Sequence, residues 1–185
     1  MLKRTIGLKS FLAPFGIALA CAGFSLGPYR IAAAIQAVGK ADSAINLQAI
    51  DGKTLKRAVA DLKGKVVVVN LWATWCGPCV AEFPDLVRLH TEFRQKGLVV
   101  IAASVDEPED KAKVAEFLKD QDCSFHVFMR KAGSIDGFID PLDKSWSGAV
   151  PTTYIFSKDG GKPARVLTGL KSYEQFVAAT EPLLK

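Results

Sequence analysis

Residues 66–79 read VVVVNLWATWCGPC and decide the fold of this 185-residue chain. The run Val66–Leu71 is too apolar for a strand with one wet face, so it predicts a central strand of a covered sheet. Residues 78–96 carry apolar side chains at helical spacing and predict a long helix. The Cys76-x-x-Cys79 pair therefore lies where a buried strand passes into a helix, with Cys76 at the start of that helix.

The position of the two cysteines predicts their chemistry. Unpaired N–H groups and the positive end of the helix dipole favour a thiolate at the first turn, and the thiolate is the form that attacks a disulfide. Two cysteines separated by two residues can close a small disulfide ring or open it to two thiols. The sequence thus predicts thiol–disulfide exchange, with Cys76 exposed and attacking and Cys79 resolving one turn further in.

The rest of the chain alternates strands and helices from about residue 44. Parallel βαβ units come first, and an antiparallel hairpin with a turn at residues 158–161 and a closing helix come last. Ser172 is the predicted N-cap of the closing helix, and Pro182 is predicted to end it. Together these patterns predict one α/β domain over residues 44–185, with helices on both faces of the sheet. The predicted strands are 44–50, 66–71, 98–105, 124–129, 152–156 and 164–167, and the predicted helices are 55–62, 78–96, 108–120, 135–139 and 173–181.

Charge is spread unevenly along the chain. There are 24 Lys and Arg against 19 Asp and Glu, a formal net charge of +5. Residues 1–39 contain four of the basic side chains and no acidic one, so the remainder is close to neutral. A near-neutral domain lacks the basic surface that binds nucleic acid, and no nucleic-acid partner is predicted.

Residues 1–39 are predicted to be a signal peptide or a membrane anchor. Basic residues before position 10 precede the mostly apolar run Phe11–Gly27, and small residues at 32–34 and 37–39 offer cleavage sites. The apolar run is close to the shortest length that spans a bilayer, so an uncleaved segment that stays in the inner membrane is the alternative. In both cases the basic flank stays in the cytoplasm and the domain is exported, to the periplasm or another extracytoplasmic space.

The motif and the order of elements resemble those of the thioredoxin superfamily. Residues 64–79, followed by AEFP at 81–84, are more narrowly similar to the TlpA/ResA group of exported or membrane-anchored thiol–disulfide oxidoreductases. The resemblance covers residues 44–185. It implies a thioredoxin-like fold, in which a central mixed sheet has helices on both faces, with an extra helix and strand that residues 107–129 match.

The resemblance also implies a cis-proline that faces the cysteines, and Pro151 matches it. An X-Pro bond is the usual place for a cis peptide, and a proline at the start of a strand is tolerated; an ordinary trans proline is the alternative. Val150 would then offer its backbone to the substrate. The predicted substrate-binding residues are Trp75, Gly77, Pro78, Val150 and Pro151.

Glu82 is the third predicted catalytic residue, after Cys76 and Cys79. It follows Cys79 by one helical turn, and the TlpA/ResA pattern has an acidic residue here that is thought to tune the cysteines and move protons. Asn70 stands where thioredoxin itself has a buried aspartate, and an amide cannot take up a proton as a carboxylate does. A solvated helix glutamate without a role is the alternative reading of Glu82.

The resemblance sets the expected partners. The Gly77-Pro78 dipeptide is that of thioredoxin, whose potential near roughly −270 mV favours a reductant. Protein disulfides are the predicted substrates, with apocytochrome c as one example and a membrane thiol carrier as the electron donor. No cofactor is predicted beyond the redox-active disulfide. Cys123 and His126 would complete the ligand types of a zinc site, but the family fold has them on an outer strand, and no metal is predicted.

Two other functions stay open from the sequence. A peroxiredoxin-type thiol peroxidase shares the superfamily, but its usual Pro-x-x-x-Thr-x-x-Cys setting is absent here. A non-catalytic module that binds a metal or a partner would keep the fold without cycling the cysteine pair.

Overall fold

The computed structural model describes residues 47–185, and the predictions on 1–39 and on 44–46 lie outside this range. Within it, no helix is both long and apolar enough to cross a membrane. The chain forms a sheet of six strands in the order β1-β4-β3-β2-β5-β6. The strands are β1 Gln48–Ile50, β2 Val66–Trp72, β3 Leu98–Ser104, β4 His126–Arg130, β5 Thr152–Phe156 and β6 Arg165–Thr168. The helices are α1 Gly52–Ala60, α2 Gly77–Phe93, α3 Lys111–Asp120, α4 Ile135–Ile139 and α5 Tyr173–Leu184.

The sheet is mixed, as the resemblance implies. The strands β1, β4, β3 and β2 are parallel neighbours, whereas β5 runs antiparallel to β2, and β6 runs antiparallel to β5. Every residue of β2 is buried, so the prediction of a covered central strand is confirmed. Since β2 and β3 are parallel neighbours, their carboxyl ends share one edge of the sheet, where polar side chains from both can meet.

Helices cover both faces of the sheet. The rings of Phe83 on α2 and Phe117 on α3 lie 4.7 and 5.0 Å from the ring of Trp72, so both helices cover the same face of β2. The connection from β1 to β2 crosses the sheet in the opposite direction, which by the right-handed rule puts α1 on the other face. There α1 contacts α4, and Gly52 lies so close that a Cβ would come within 1.9 Å of the carbonyl oxygen of Phe138.

Several predicted boundaries differ from the structure. The long helix α2 ends at Phe93 and is followed by a 3₁₀ turn, Arg94–Lys96, before Gly97 stops it in the left-handed region at φ 93°. The prediction that Pro182 ends the last helix is wrong, because α5 continues to Leu184. A proline removes one backbone donor, and in the final turn of a helix that loss is small enough for the neighbouring residues to stay helical.

The other differences are shifts of a few residues at the ends of elements. The helix α1 begins at Gly52, before the predicted start, because Asp51 caps it by accepting a hydrogen bond from the Thr54 amide at 2.8 Å. The first turn predicted for α3 is instead a 3₁₀ turn, Pro108–Asp110. None of these shifts moves the cysteine pair.

Candidate active site

The cysteine pair sits at the N-terminus of α2. Cys76 is the N-cap residue with an extended backbone, and its sulfur accepts a hydrogen bond from the Cys79 amide at 3.2 Å. The two residues form a disulfide, with sulfur atoms 2.13 Å apart. The prediction that Cys76 is exposed is wrong: it keeps only 6% of its surface exposed, because the Val150 carbonyl lies against its sulfur. Cys79 keeps none of its surface exposed. A reagent or substrate from solvent therefore reaches Cys76 first.

The proline loop lies directly against the outer sulfur. The Val150–Pro151 peptide bond is cis, in agreement with the resemblance, and the Val150 carbonyl oxygen is 3.6 Å from Cys76 Sγ. The Pro151 carbonyl accepts a hydrogen bond from the Gly169 amide at 2.8 Å. The loop that precedes β5 and the loop that follows β6 are thus joined beside Cys76.

A tryptophan fixes the peptide that precedes Val150. The Ala149 carbonyl accepts hydrogen bonds from Trp146 Nε1 at 3.0 Å and from Thr152 Oγ1 at 2.8 Å. The Ala149 carbonyl is part of the peptide group that joins Ala149 to Val150. Two hydrogen bonds to this oxygen fix the plane of that peptide group, and therefore the orientation of the Val150 backbone. The sequence did not predict this role of Trp146, because its hydrogen bond to the Ala149 carbonyl depends on how the loop between them folds.

The surface around Cys76 is partly apolar. Trp75 is 64% exposed and Leu170, next to Gly169, is 55% exposed; they are two of the three large hydrophobic side chains that residues 47–185 leave exposed. Gly77 and Pro78 are exposed as well. All five residues predicted to bind substrate lie within the segments 75–78 and 150–151, and the contact of Cys76 with Val150 brings these two segments together.

Glu82 is buried, with 1% of its surface exposed, which contradicts the reading of a solvated helix glutamate. Its Oε1 accepts a hydrogen bond from Asn70 Nδ2 at 2.8 Å, and its Oε2 accepts one from the Lys171 amide at 2.9 Å. Burial disfavours the charged carboxylate and raises the pKa of Glu82, while these two hydrogen bonds act in the opposite direction. The carboxyl thus connects α2, β2 and the loop before α5.

Asn70 has its amide group in the same buried network. Its Nδ2 also donates to Thr153 Oγ1 at 2.9 Å, whereas its Oδ1 is buried and has no hydrogen-bond partner among residues 47–185. An unpaired buried oxygen is unusual. It leaves one acceptor free beside the carboxyl group of Glu82.

A second buried carboxylate, Asp106, was missed by sequence reasoning. It follows β3 and accepts hydrogen bonds from the Thr74 amide, from Thr74 Oγ1 and from Ser104 Oγ. The signal was present in the sequence: Asp106 follows one buried parallel strand and Thr74 follows its neighbour, so both lie at the same edge of the sheet. Arg130, also buried, ends β4 at this edge.

Cys123 and His126 lie apart from this network, at the start of β4, and β3 separates β4 from β2. Cys123 is a free thiol, and burial raises its pKa to about 11. No group of three His, Cys, Asp or Glu side chains within residues 47–185 is arranged to hold a metal ion.

Comparisons with known proteins agree with this geometry. The AhpC/TSA family model matches residues 38–161. A protein of Bacillus cereus named thiol-disulfide oxidoreductase ResA is 35% identical over 126 residues, which are 68% of this chain and 66% of that protein. A protein of the same name from Oceanobacillus iheyensis is 36% identical over 120 residues, which are 65% of this chain and 57% of that protein. The chain thus spans less than two thirds of the length of these relatives.

The fold has solved counterparts. A thiol:disulfide interchange protein of the thioredoxin family from Chlorobium tepidum superposes with a TM-score of 0.58 at 24% identity, over 78% of this chain and 100% of that chain. At this identity the likeness shows the fold alone. The family match covers well over half of the chain, at residues 38–161. This protein therefore belongs to the AhpC/TSA family, and within it to the ResA-like members of the thioredoxin superfamily.

Proposed function

We propose that the chain is an exported thiol–disulfide oxidoreductase that reduces disulfides of other proteins. One observation carries the proposal: Cys76 and Cys79 lie within bonding distance at the N-terminus of α2, and the outer sulfur faces the Val150 carbonyl. The helix N-terminus favours a thiolate on Cys76. Burial of Cys79 keeps it from competing for the substrate.

The exchange then runs in two steps. The Cys76 thiolate attacks one sulfur of the target disulfide, a mixed disulfide forms, and the other target sulfur leaves and takes up a proton. The Cys79 thiolate next attacks Cys76 Sγ, which releases the second target sulfur and closes the Cys76–Cys79 disulfide. The target gains two electrons and two protons, and the cysteine pair loses them.

The surroundings of Cys76 supply binding and proton transfer in this proposal. The Val150 backbone, held beside the cis-proline, pairs with an extended segment of the target, and Trp75, Gly77 and Pro78 form the adjoining surface. Glu82 supplies a proton to the leaving sulfur, since its raised pKa keeps more of the carboxyl protonated at a given pH.

The direction of electron flow and the partners follow from the resemblance to the TlpA/ResA group. A Gly-Pro dipeptide between the cysteines favours a reducing potential. The domain then works outside the cytoplasm, in the periplasm or an equivalent space, and takes electrons from a membrane thiol carrier. An apocytochrome c disulfide, reduced to thiols before haem attachment, is one target. The redox-active disulfide serves without a further cofactor.

Reduction of insulin by dithiothreitol tests the activity. The protein should accelerate it, and Cys76→Ser should abolish the acceleration. Cys123→Ser is the matched control, because Cys123 lies beside β4, and it should leave the rate unchanged. Retained acceleration in Cys76→Ser, or its loss in Cys123→Ser, contradicts the assignment.

Two measurements address the direction and the partners. Equilibration with glutathione or dithiothreitol buffers should give a potential nearer to roughly −270 mV than to the roughly −120 mV of a strong oxidant. Expression of Cys79→Ser in the native host should trap targets as mixed disulfides on Cys76. The double variant Cys76→Ser/Cys79→Ser is the control and should trap none.

A thiol peroxidase is the second candidate, because the matching family model is that of AhpC/TSA. The peroxidatic setting places Pro and Thr seven and three residues before the cysteine, where this chain has Val69 and Ala73. Consumption of hydrogen peroxide by the reduced protein would favour the peroxidase. A Cys76–Cys79 pair that fails to cycle with dithiothreitol would favour a module without catalytic function.

A further inference from the structure

We propose that Asp106 is a positioning residue for Cys76. Its buried carboxylate fixes the turn at residues 73–76 through Thr74, and so holds the attacking sulfur in place. The inference rests on the proposed exchange chemistry, but it concerns a residue outside the cysteine helix, the proline loop and the Glu82 network.

The carboxylate of Asp106 is saturated by donors from the ends of two strands. Thr74 Oγ1 donates to Oδ1 at 2.6 Å, and the Thr74 amide lies 3.1 Å from both oxygens. Ser104 Oγ donates to Oδ2 at 2.7 Å. Asp106 is fully buried, and a buried carboxylate that lost these donors would be strongly destabilised. The carboxylate therefore holds Thr74 with hydrogen bonds of the strong, charge-assisted kind.

The turn that Thr74 belongs to carries the reacting cysteine. The Cys76 amide donates to the Ala73 carbonyl at 3.2 Å and closes the turn. Cys76 then caps α2 with φ −91° and ψ 99°, the conformation in which its sulfur accepts from the Cys79 amide. A displacement of Thr74 is passed to Cys76 across one residue, Trp75, whose side chain is mostly exposed.

Asp106 is itself held on both sides. The Val105 amide donates to the Trp72 carbonyl at 2.9 Å, which joins the ends of β3 and β2. Arg130, with 1% of its surface exposed, donates from Nε to the Val105 carbonyl at 3.0 Å and forms an ion pair with Glu107. Because both of its neighbours, Val105 and Glu107, are held in place, Asp106 has a fixed position. Its hydrogen bonds therefore fix the position of Thr74 as well.

The test compares four variants of the full chain in the reduced state. Asp106→Ala removes the acceptor, Asp106→Asn keeps one acceptor oxygen without the charge, Thr74→Val removes the hydroxyl at nearly constant volume, and Thr74→Ser keeps it. The readouts are the rate of alkylation of Cys76 by iodoacetamide, assigned by mass spectrometry, and the rate of insulin reduction. Asp120→Ala, at an exposed position of α3, is the matched control.

A positioning role of Asp106 predicts a specific pattern of alkylation and insulin-reduction rates among the variants. Asp106→Ala should slow both reactions roughly tenfold, the loss expected for a charge-assisted hydrogen bond. Thr74→Val should slow them less, because the Thr74 amide still binds Asp106. Thr74→Ser should restore the wild-type rates, and Asp106→Asn should lie between Asp106→Ala and the wild type.

Other patterns overturn the proposal. Unchanged rates in folded Asp106→Ala exclude it, and so does equal slowing by Thr74→Ser and Thr74→Val. Faster alkylation in both Asp106 variants with no effect of Thr74 would mean that only the charge of Asp106 matters. If Asp106→Ala does not fold, the comparison of Thr74→Val with Thr74→Ser decides whether the proposal holds. A wild-type protein that reduces no protein disulfide would refute the proposed function, while the alkylation rates would still judge Asp106.

Discussion

The Glu82 carboxyl accepts a hydrogen bond from the Asn70 amide across 2.8 Å of the protein interior. The donor is the side-chain amide of Asn70 on the strand β2, and the acceptor is the side-chain carboxyl of Glu82 on the helix α2. Burial raises the pKa of this acid, against the opposing effect of its hydrogen bonds with Lys171 and Asn70. A carboxyl that stays protonated to higher pH is a better proton donor near neutrality.

Glu82→Gln should separate the two effects of this carboxyl on the cysteines. Without a nearby negative charge, the Cys76 thiolate is favoured, so alkylation should set in at lower pH. Reduction of insulin should slow, because the amide cannot deliver a proton to the leaving sulfur. The measurement is a pH series of both rates, with Glu116→Gln on the exposed side of α3 as the control. Superimposable profiles for Glu82→Gln and the wild type would leave Glu82 without a role in proton transfer.

His90 should make the folded protein less stable in acid. Burial, with smaller contributions from Arg94 and His126, lowers the pKa of His90 to about 4. In the unfolded chain it takes up a proton near pH 6.5. The unfolded state therefore binds more protons between these values, and the free energy of unfolding should fall as the pH drops from about 6.5 to about 4.

Urea unfolding at a series of pH values measures this slope, and His90→Gln should flatten it. His126 also has a lowered pKa because of burial, so part of the slope should remain. Glu82 acts with the opposite sign: its pKa is raised, so its contribution to stability is lost as the pH rises through the folded value. Glu82→Gln should therefore make the loss of stability in acid steeper. A slope unchanged by either variant contradicts the burial argument.

Iodoacetamide should discriminate sharply among the thiols of the reduced domain. Cys76 caps a helix, and its 6% exposed surface compares with none for Cys79. Its place at the helix N-terminus should keep its apparent pKa below the ordinary value of about 8.5. Burial raises the pKa of Cys123 to about 11, which leaves little thiolate at neutral pH. Mass spectrometry of a time course at pH 7 should find Cys76 modified first. Earlier modification of Cys79 would reverse the assigned roles, and earlier modification of Cys123 would contradict the effect of burial on that thiol.

Trp146→Phe should weaken the binding of protein substrates more than it slows the chemistry. It removes one donor to the Ala149 carbonyl, while Thr152 keeps the other. A single hydrogen bond contributes about 1 kcal/mol, so KM for a protein disulfide should rise roughly fivefold. Alkylation of Cys76 by iodoacetamide does not use the Val150 backbone and should be unchanged. A fall in kcat without a change in KM would contradict this role of Trp146.

The sequence was sufficient for the parts of the site that depend on local pattern. The strand before Cys76 and the helix after it follow from hydrophobic periodicity. The attacking role of Cys76 and the resolving role of Cys79, assigned from their place at the helix start, stay predictions. The match of Pro151 came from the resemblance rather than from periodicity. Glu82 could be named as a candidate, but its buried hydrogen bonds could not be predicted, because the Lys171 amide that binds its carboxyl lies 89 positions away.

The residues that were missed act through contacts between distant segments. Asp106 meets Thr74 across 32 positions, and Arg130 meets Val105 across 25. No spacing rule connects such pairs; only the neighbouring order of β2, β3 and β4 does so. Local rules can also fail by themselves. A proline is expected to end a helix, but α5 continues through Pro182 to Leu184.

The hydrogen bond between the Gly169 amide and the Pro151 carbonyl, together with that between the Lys171 amide and Glu82, has a consequence for biosynthesis. The cysteines leave the ribosome long before the segment that closes their surroundings. Until residues 169–171 have been made, neither of these hydrogen bonds can form beside the cysteine pair. The surroundings described for Cys76 and Glu82 are thus complete only when the C-terminal end has been made and docked, and a copy truncated before Gly169 would keep both cysteines without the hydrogen bond that joins Glu82 to the loop before α5.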